Sequence, residues 1–152
     1  MLIGIKRIYE KTDFGDGKRI LVDRLWPRGM RRSSANIDTW MKDIAPSESL
    51  RKWYAHDPAK WKTFERRYRR ELERNPALIS LVKKALREDV TLIYAARDMR
   101  RNNAVVLANV LRVKIRKLKA AENMNGHLAE AKMLNRSLSG FYAFLEFNLF
   151  EF

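Results

Sequence analysis

Charged residues follow an apolar run in the stretch ILVDRLWPRGM, residues 20–30. Asp23 and Arg24 come directly after the run, and Arg28 and Gly29 follow in a proline-glycine loop. An uninterrupted apolar run is typical of a strand buried on both faces. Guanidinium groups suit phosphate oxygens, and glycine lets a backbone approach a ligand closely. Arg24, Arg28 and Gly29 are therefore predicted to bind an anion, and Asp23 is a candidate catalytic carboxylate.

A second apolar run, VTLIYAA at residues 90–96, also ends in charge, at Arg97 and Asp98. A helix is predicted to begin shortly after it, near Asn102 or Asn103. In open parallel sheets, ligands bind beyond the carboxyl ends of the strands, where helix N-termini point at the crevice. If the two runs are neighbouring parallel strands, their arginines converge there. Arg97, Asp98 and Asn102 therefore join the predicted ligand-binding residues.

An ion-pair interpretation competes with the anion site. Asp23 with Arg97, or Arg24 with Asp98, would neutralise one another and hold the end of the sheet together without any ligand. The two interpretations are compatible if the carboxylates orient the arginines.

His56 also has two interpretations. As a functional residue it is a candidate general base, because histidine titrates near neutral pH and a carboxylate follows it at Asp57. As a structural residue it belongs to a loop and packs on Trp53 or Trp61, while Asp57 caps the helix that begins at Pro58. The Asp-Pro pair favours the structural interpretation.

Several kinds of chemistry are excluded by composition. The chain has no cysteine, which removes disulfides, thiolate zinc sites and cysteine nucleophiles and favours a reducing, cytoplasmic compartment. Its two histidines, His56 and His127, lie far apart in sequence, so no metal site is expected, although carboxylates can hold a hard cation. No phosphate-binding loop or dinucleotide fingerprint occurs, and no cofactor is predicted. No apolar run approaches the ~18 residues that a membrane span needs.

The net charge points to anionic partners. Lys and Arg number 32 against 18 Asp and Glu, a formal charge of +14 over 152 residues. Such a field attracts polyanions, so DNA or RNA is a possible partner, although basic side chains also decorate ordinary helix surfaces. A nucleic-acid-binding module would use two basic segments, and the candidate residues are Lys60, Arg66, Arg67, Arg70, Lys114, Arg116, Lys117 and Lys119.

The spacing of apolar residues along the chain predicts the strands and helices that position these residues. Residues 2–9 predict a first strand, and Asp16-Gly17 predicts a tight turn before the strand at 20–22. The two strands could form a hairpin, or they could be parallel with a loop between them. About eight residues connect them, too few for a helical crossover, which favours adjacent antiparallel strands or two offset strands. A period near 3.6 predicts a helix from Ser33 to Ala45-Pro46. Three further helices are predicted after the caps Ser47, Asp57 and Asn75.

These motifs resemble a known family. The motifs are DRLWPRG at 23–29, LRKWYAHDPAKW at 50–61, the FERRYRREL helix, and TLIYAARD at 91–98 followed by NNAVVL. They are similar to the YeaO-like branch of a widespread prokaryotic family of unknown function. The resemblance covers about residues 3–111. It implies a compact α/β domain with a small, mostly parallel sheet and helices packed around it, and it implies no reaction. Relatives often have histidine where this chain has Arg101.

The C-terminal part, residues 112–152, lies outside that resemblance. A basic helix is predicted to continue to about Asn125-Gly126, a second helical piece follows, and the aromatic residues 141–152 alternate as a strand. We expect this tail to dock on its own domain or on a second copy, which would make the protein a homo-oligomer. The whole chain is expected to be a single domain with this extension.

Three functions remain open from the sequence. The first is binding of a phosphate-bearing small molecule or nucleotide at the arginine-lined strand ends, with or without catalysis. The second is nucleic-acid binding by the basic helices. The third is protein interaction through the aromatic tail.

Overall fold

A computed structural model describes residues 2–124 of the chain. Within them, four strands form one sheet in the order β1-β4-β2-β3, with every neighbouring pair parallel. The strands are β1 (Ile3–Arg7), β2 (Lys18–Leu21), β3 (Thr39–Trp40) and β4 (Val90–Tyr94). The helices are α1 (Glu48–Tyr54), α2 (Trp61–Glu73), α3 (Pro76–Ala85) and α4 (103–124). The predicted α/β class with a small parallel sheet is confirmed.

The predicted antiparallel pairing of the first two strands is wrong. β4 lies between β1 and β2, and Val90 is in register with both Ile3 and Lys18. The connection between β1 and β2, residues 8–17, is ten residues long and contains no α-helix. It needs no helix, because ten extended residues span up to about 33 Å and a five-residue strand rises only about 17 Å. The loop therefore returns to the start of the sheet without one.

The two faces of the sheet are covered differently. Side chains alternate along β4, so that Leu92 faces a large apolar cluster and Ile93 a smaller one. All four described helices contribute to the large cluster. The smaller cluster is covered by the segment that follows β2, through Trp26, Met30 and Trp40. The helices therefore lie on one face of the sheet and a long loop covers the other.

The predicted helix from Ser33 to Ala45 does not form. Thr39–Trp40 is a short strand beside β2, and Trp40 and Met41 pack into opposite clusters, as successive residues of an extended chain do. Asn36 has a positive φ of 47°, which ends the short 3-10 turn before it. The apolar residues of this segment therefore pack into the clusters on the two faces of the sheet, and their helix-like spacing does not reflect a helix.

The predicted caps are confirmed. The side chains of Ser47, Asp57 and Asn75 accept hydrogen bonds from the backbone N–H groups of Leu50, Ala59 and Ala77 respectively, and proline follows the second and third of these caps. In α2, the buried residues are Phe64, Tyr68 and Leu72, at the spacing of one helix face. These caps fix where each helix begins on the sheet.

The chain divides into two compact units, residues 1–115 and 116–152. In the second unit the structure describes residues 116–124, which are helical. The predicted aromatic strand and its role in oligomerisation lie outside the described residues and stay predictions, as does the single-domain assignment. Among residues 2–124, no helix has the length and apolar character to cross a membrane.

Candidate functional site

A cavity of about 630 Å³ lies at the carboxyl ends of β2 and β4. Its wall brings together most of the residues predicted from the two strand ends, together with His56. The lining residues that bear on function are Tyr9, Asp23, Arg24, Leu25, Trp26, Arg28, Arg51, Tyr54, His56, Arg97, Asp98, Asn102 and Asn103. This is the edge at which ligands bind in open parallel sheets.

Asp23 links the two strand ends to α4. Its Oδ2 accepts a hydrogen bond from the backbone N–H of Ala95 at 2.8 Å, and its Oδ1 accepts one from Asn103 Nδ2 at 3.2 Å. Burial raises the pKa of this carboxyl, while the bonds from Ala95 and Asn103 and the nearby charge of His56 act in the opposite direction. Asp23 forms no salt bridge with Arg97 or with any other described residue.

Arg24 is anchored by backbone carbonyls. Its Nε donates to the oxygen of Pro46 at 2.9 Å and its Nη2 to the oxygen of Ala45 at 3.3 Å. It forms no ion pair with Asp98, so both proposed aspartate-arginine pairings are wrong. Within residues 2–124 its Nη1 has no hydrogen-bond partner, which leaves part of the guanidinium group available to the cavity.

Three other arginines line the same cavity. Arg28 and Arg97 were predicted from the sequence, and Arg51 of α1 was not. All three side chains are exposed, and none forms a salt bridge with a residue in the described part of the chain. The structure therefore places four arginines among the residues that line this cavity. Whether they bind an anion stays a prediction.

Asp98 acts at the start of α4 and does not orient the cavity arginines. Its Oδ1 accepts from the backbone N–H groups of Arg100 at 2.9 Å and Arg101 at 3.0 Å, and its Oδ2 accepts from Arg101 Nε at 2.7 Å. These bonds lower its pKa, the Arg100 N–H most, although burial acts in the opposite direction. The predicted role of Asp98 in orienting Arg24 or Arg97 is therefore wrong.

Asn102 caps α4 beside the cavity. Its Oδ1 accepts from the backbone N–H of Val105 at 3.1 Å, and its Nδ2 donates to the carbonyl of Asp98 at 2.9 Å. The residue is buried and both ends of its amide are engaged, which is the geometry of an N-cap. It brings the positive end of the helix dipole to the cavity wall.

His56 lies on the cavity wall in an uncommon backbone conformation. Ala55 and His56 both have positive φ, 45° and 57°, after the end of α1. The imidazole is exposed and packs at 5.6 Å on the ring of Tyr54, rather than on either predicted tryptophan. Asp57 is engaged as the helix cap and as a partner of Lys60, so no described hydrogen bond orients His56 as a general base.

Gly29 does not line the cavity. It has a φ of 75° in the loop after Trp26, and an added Cβ there would meet nothing within 4 Å. Its conformation explains the residue type, but the predicted close approach to a ligand has no support in this geometry. Within residues 2–124, no three histidine or carboxylate side chains are grouped so as to hold a metal ion.

The predicted nucleic-acid residues divide between two helices. Arg66 and Arg70 line a shallow groove on the outer face of α2, together with Lys62, Arg69 and two glutamates. Arg67 packs over the ring of Trp53 at 4.4 Å, and Lys60 Nζ donates to the Trp53 carbonyl at 3.1 Å. The remaining candidates, all exposed on α4, are Lys114, Arg116, Lys117 and Lys119.

Comparison with known proteins places the chain in one family. Residues 2–127 match the model of the family described as the inactive DUF488-N3 subclade, so the match reaches beyond residue 111, where the motif resemblance ended. The uncharacterized protein YeaO of Escherichia coli (strain K12) is 40% identical over 116 residues, covering 74% of this chain and 98% of YeaO. The uncharacterized protein Rv3073c of Mycobacterium tuberculosis (strain ATCC 25618 / H37Rv) is 43% identical over 109 residues, covering 72% and 92%.

No solved structure gives a significant match to this chain. The family model spans both strand ends and the start of α4, all of which contribute residues to the cavity wall. The chain therefore belongs to the inactive DUF488-N3 subclade.

Proposed function

We propose that the protein binds a phosphate-bearing small molecule in the cavity at the strand ends. The observation that supports this proposal is that Arg28, Arg51 and Arg97 all line the cavity and form no salt bridges to described residues. Like charges held near one another repel, and a bound anion relieves that repulsion. The guanidinium fork matches phosphate oxygens in geometry as well as charge.

The start of α4 supports the same ligand chemistry. Asn102 and Asn103 place the N-terminus of a helix beside the arginines, and that end of a helix carries a partial positive charge. The helix dipole adds to the arginine charges instead of opposing them. An anion near these groups therefore meets favourable electrostatics from side chains and backbone together.

The size and lining of the cavity indicate a ligand with more than a phosphate group. About 630 Å³ lies within the range of roughly 300–1,000 Å³ that small-molecule sites occupy. Much of the wall is apolar, with Leu25, Trp26 and Pro27 from the loop after β2. A nucleotide or another phosphorylated metabolite fits these dimensions better than a free inorganic ion.

Binding without turnover is the form of the proposal that we favour. The family is described as inactive, and Asp23 and His56 share the cavity without a hydrogen bond between them in the described chain. A general base needs its proton acceptor held in a productive orientation. Catalysis by His56 and Asp23 stays a prediction that would require a ligand to complete the geometry.

Calorimetric titration of the full chain with phosphorylated metabolites and nucleotides tests the proposal. Arg97→Ala should weaken a bound ligand by about 1.5–3 kcal/mol, roughly 10- to 150-fold in Kd, because a charged hydrogen bond is lost. Arg70→Ala is the matched control and should leave Kd unchanged, because Arg70 is an exposed arginine of α2 that does not line this cavity. Absence of binding across the panel, or equal losses in both variants, would contradict the proposal.

A second candidate function is nucleic-acid binding along the outer face of α2. The observation that favours it is the groove in which Lys62, Arg66 and Arg70 recur at four-residue spacing on one exposed face. With a chain charge of +14, duplex DNA should bind with a slope of log K against log salt of about −0.9 for each phosphate contacted.

Gel-shift titrations at several salt concentrations test this second function. Replacing Arg66 and Arg70 together by glutamine should reduce the magnitude of the slope by about 1.8, since two contacts are removed. Replacing Arg28 and Arg97 of the cavity by glutamine makes an equal change of charge elsewhere. If both double variants lower affinity to the same extent, the attraction is general to the charged surface and α2 is not an interface.

A further inference from the structure

Asp23 is one of two carboxylates, with Asp98, among the residues that line the cavity. Asp98 already accepts three hydrogen bonds, from the backbone N–H groups of Arg100 and Arg101 and from Arg101 Nε. Asp23 receives one hydrogen bond on each oxygen, from Ala95 and Asn103. A carboxylate has about four lone-pair sites, so about two remain, one on each oxygen.

The position of Asp23 is fixed from three directions. Its carbonyl oxygen accepts from Trp40 Nε1 at 2.7 Å, while Ala95 beyond β4 and Asn103 of α4 hold its carboxylate. Asn103 Nδ2 is shared with the carbonyl of Val22 at 2.9 Å, which ties the same amide to β2. A carboxylate held in this way loses little freedom when it receives a ligand, and preorganisation of this kind favours affinity.

The surrounding charges restrict which donor this acceptor can take. A ligand ammonium group would pair with Asp23 but would be repelled by Arg24 and Arg97, which line the same wall. Neutral hydroxyl groups donate to a carboxylate without that repulsion. Two adjacent hydroxyls match two carboxylate oxygens with one vacant acceptor position each.

We propose that Asp23 binds the vicinal hydroxyls of a sugar whose phosphate is held by the cavity arginines. The ligand class is then a phosphorylated sugar, of which a ribonucleotide is one form. This inference rests on the proposed function, because it assigns the uncharged part of the same ligand. Asp23 acts here as a specificity-determining residue, and no bond is made or broken.

Removing the negative charge of Asp23 distinguishes a carboxylate that binds a diol from one that merely lies near the phosphate. If Asp23 merely lies near the phosphate, its negative charge repels every phosphate ligand, and Asp23→Asn should tighten all of them. If it accepts from a diol, the same substitution should weaken diol-bearing ligands and leave simple phosphates equal or tighter. The two hypotheses therefore predict opposite signs for one measurement.

The experiment compares ribose 5-phosphate, 2-deoxyribose 5-phosphate and inorganic phosphate by calorimetry on the full chain. For the wild-type protein, ribose 5-phosphate should bind at least about tenfold more tightly than its 2-deoxy counterpart, because one hydroxyl of the diol is missing. In Asp23→Asn this ratio should fall to near one, while inorganic phosphate binds as well or better. Arg97→Ala should weaken both sugars by the same factor and preserve the ratio.

The outcomes separate the two proposals. Equal binding of both sugars to the wild-type protein would overturn the role of Asp23 and leave the phosphate site standing, and this comparison needs no variant to fold. Tightening of all three ligands in Asp23→Asn would overturn it as well. Failure of all three to bind would overturn the phosphate site and this inference together.

Discussion

Replacing Asp16 by asparagine should destabilise the protein through a buried ion network beside β1 and β2. Asp16 Oδ1 accepts from Lys6 Nζ at 2.9 Å, and Oδ2 forms an ion pair with Arg19 Nη1. The side chains of Asp16 and Arg19 are only 9% and 4% exposed. Asparagine has nearly the same shape without the charge, so the substitution leaves Arg19 buried as a cation without its carboxylate.

The expected loss is about 3 kcal/mol. Removing one partner of a buried ion pair costs about 3–5 kcal/mol. We expect the lower end because Lys6 is 19% exposed and can turn to water, and because Arg19 Nε keeps its bond to the carbonyl of Asn36 at 2.8 Å. For a chain of this size, about 2–4 °C in Tm accompanies each kcal/mol, so Tm should fall by roughly 6–12 °C.

The loss of stability in Asp16→Asn should be larger at neutral pH than at acidic pH. Burial raises the pKa of Asp16, but hydrogen bonds from Lys6, the Asp13 backbone and Arg19, with the charge of Arg19, lower it overall. The carboxylate therefore stabilises the fold fully above its ordinary pKa of 3.8, and this contribution declines as pH falls through the lower folded-state pKa. The gap in Tm between wild type and variant should be full at pH 7 and shrink below pH 4.

The Tm values of wild type and Asp16→Asn are compared at neutral and acidic pH by thermal melting, with circular dichroism as the signal. Glu48→Gln is the control, since Glu48 and Lys52 form an exposed pair on α1 and its loss should leave Tm unchanged. The reasoning is refuted if Asp16→Asn melts within about 2 °C of wild type at pH 7, less than the change that 1 kcal/mol produces. An equal fall in the Tm of Glu48→Gln would also refute the reasoning.

Two further predictions concern packing, and each is tested by denaturant unfolding. Tyr68→Phe should cost about 1–3 kcal/mol, because the buried hydroxyl donates to the Ile44 carbonyl at 2.7 Å and that carbonyl would be left unsatisfied; an unchanged midpoint would contradict this. Gly17→Ala should destabilise more than Gly29→Ala, because both glycines have positive φ but only at Gly17 would the new methyl group overlap the carbonyl oxygen of Asp89. Equal losses would show that backbone conformation, and not the contact, decides the cost.

The strand ends could be predicted from the sequence because burial on both faces leaves a local mark. Residues 20–22 and 90–94 are all buried and, apart from Thr91, apolar or aromatic, and charged residues follow where each strand leaves the sheet. Caps such as Asp57 and Asn75 are local for the same reason, since a side chain bonds a backbone group two residues ahead. Structural features that depend on residues close together in the chain could therefore be predicted from the sequence.

Strand pairings between segments far apart in the chain could not be predicted from the sequence. The insertion of β4 between β1 and β2 depends on residues more than 70 positions apart, and β3 is two residues long, too short for a period to appear. Arg51 reaches the cavity because α1 packs against the sheet, and nothing in its neighbourhood distinguishes it from other helix arginines. Asp98 was assigned the wrong partners because its nearest donors, three residues away or less, compete successfully with those across the sheet.

The location of a bound phosphate analogue tests the central claim most directly. Crystals of the full chain grown with tungstate, which mimics phosphate and scatters anomalously, should show an anomalous peak in the cavity within hydrogen-bond distance of Arg97 or Arg28. The same peak should be absent in crystals of Arg97→Ala grown under the same conditions. Anomalous peaks confined to the outer face of α2, with an empty cavity, would contradict the phosphate site and favour the basic helix as the place where anions bind.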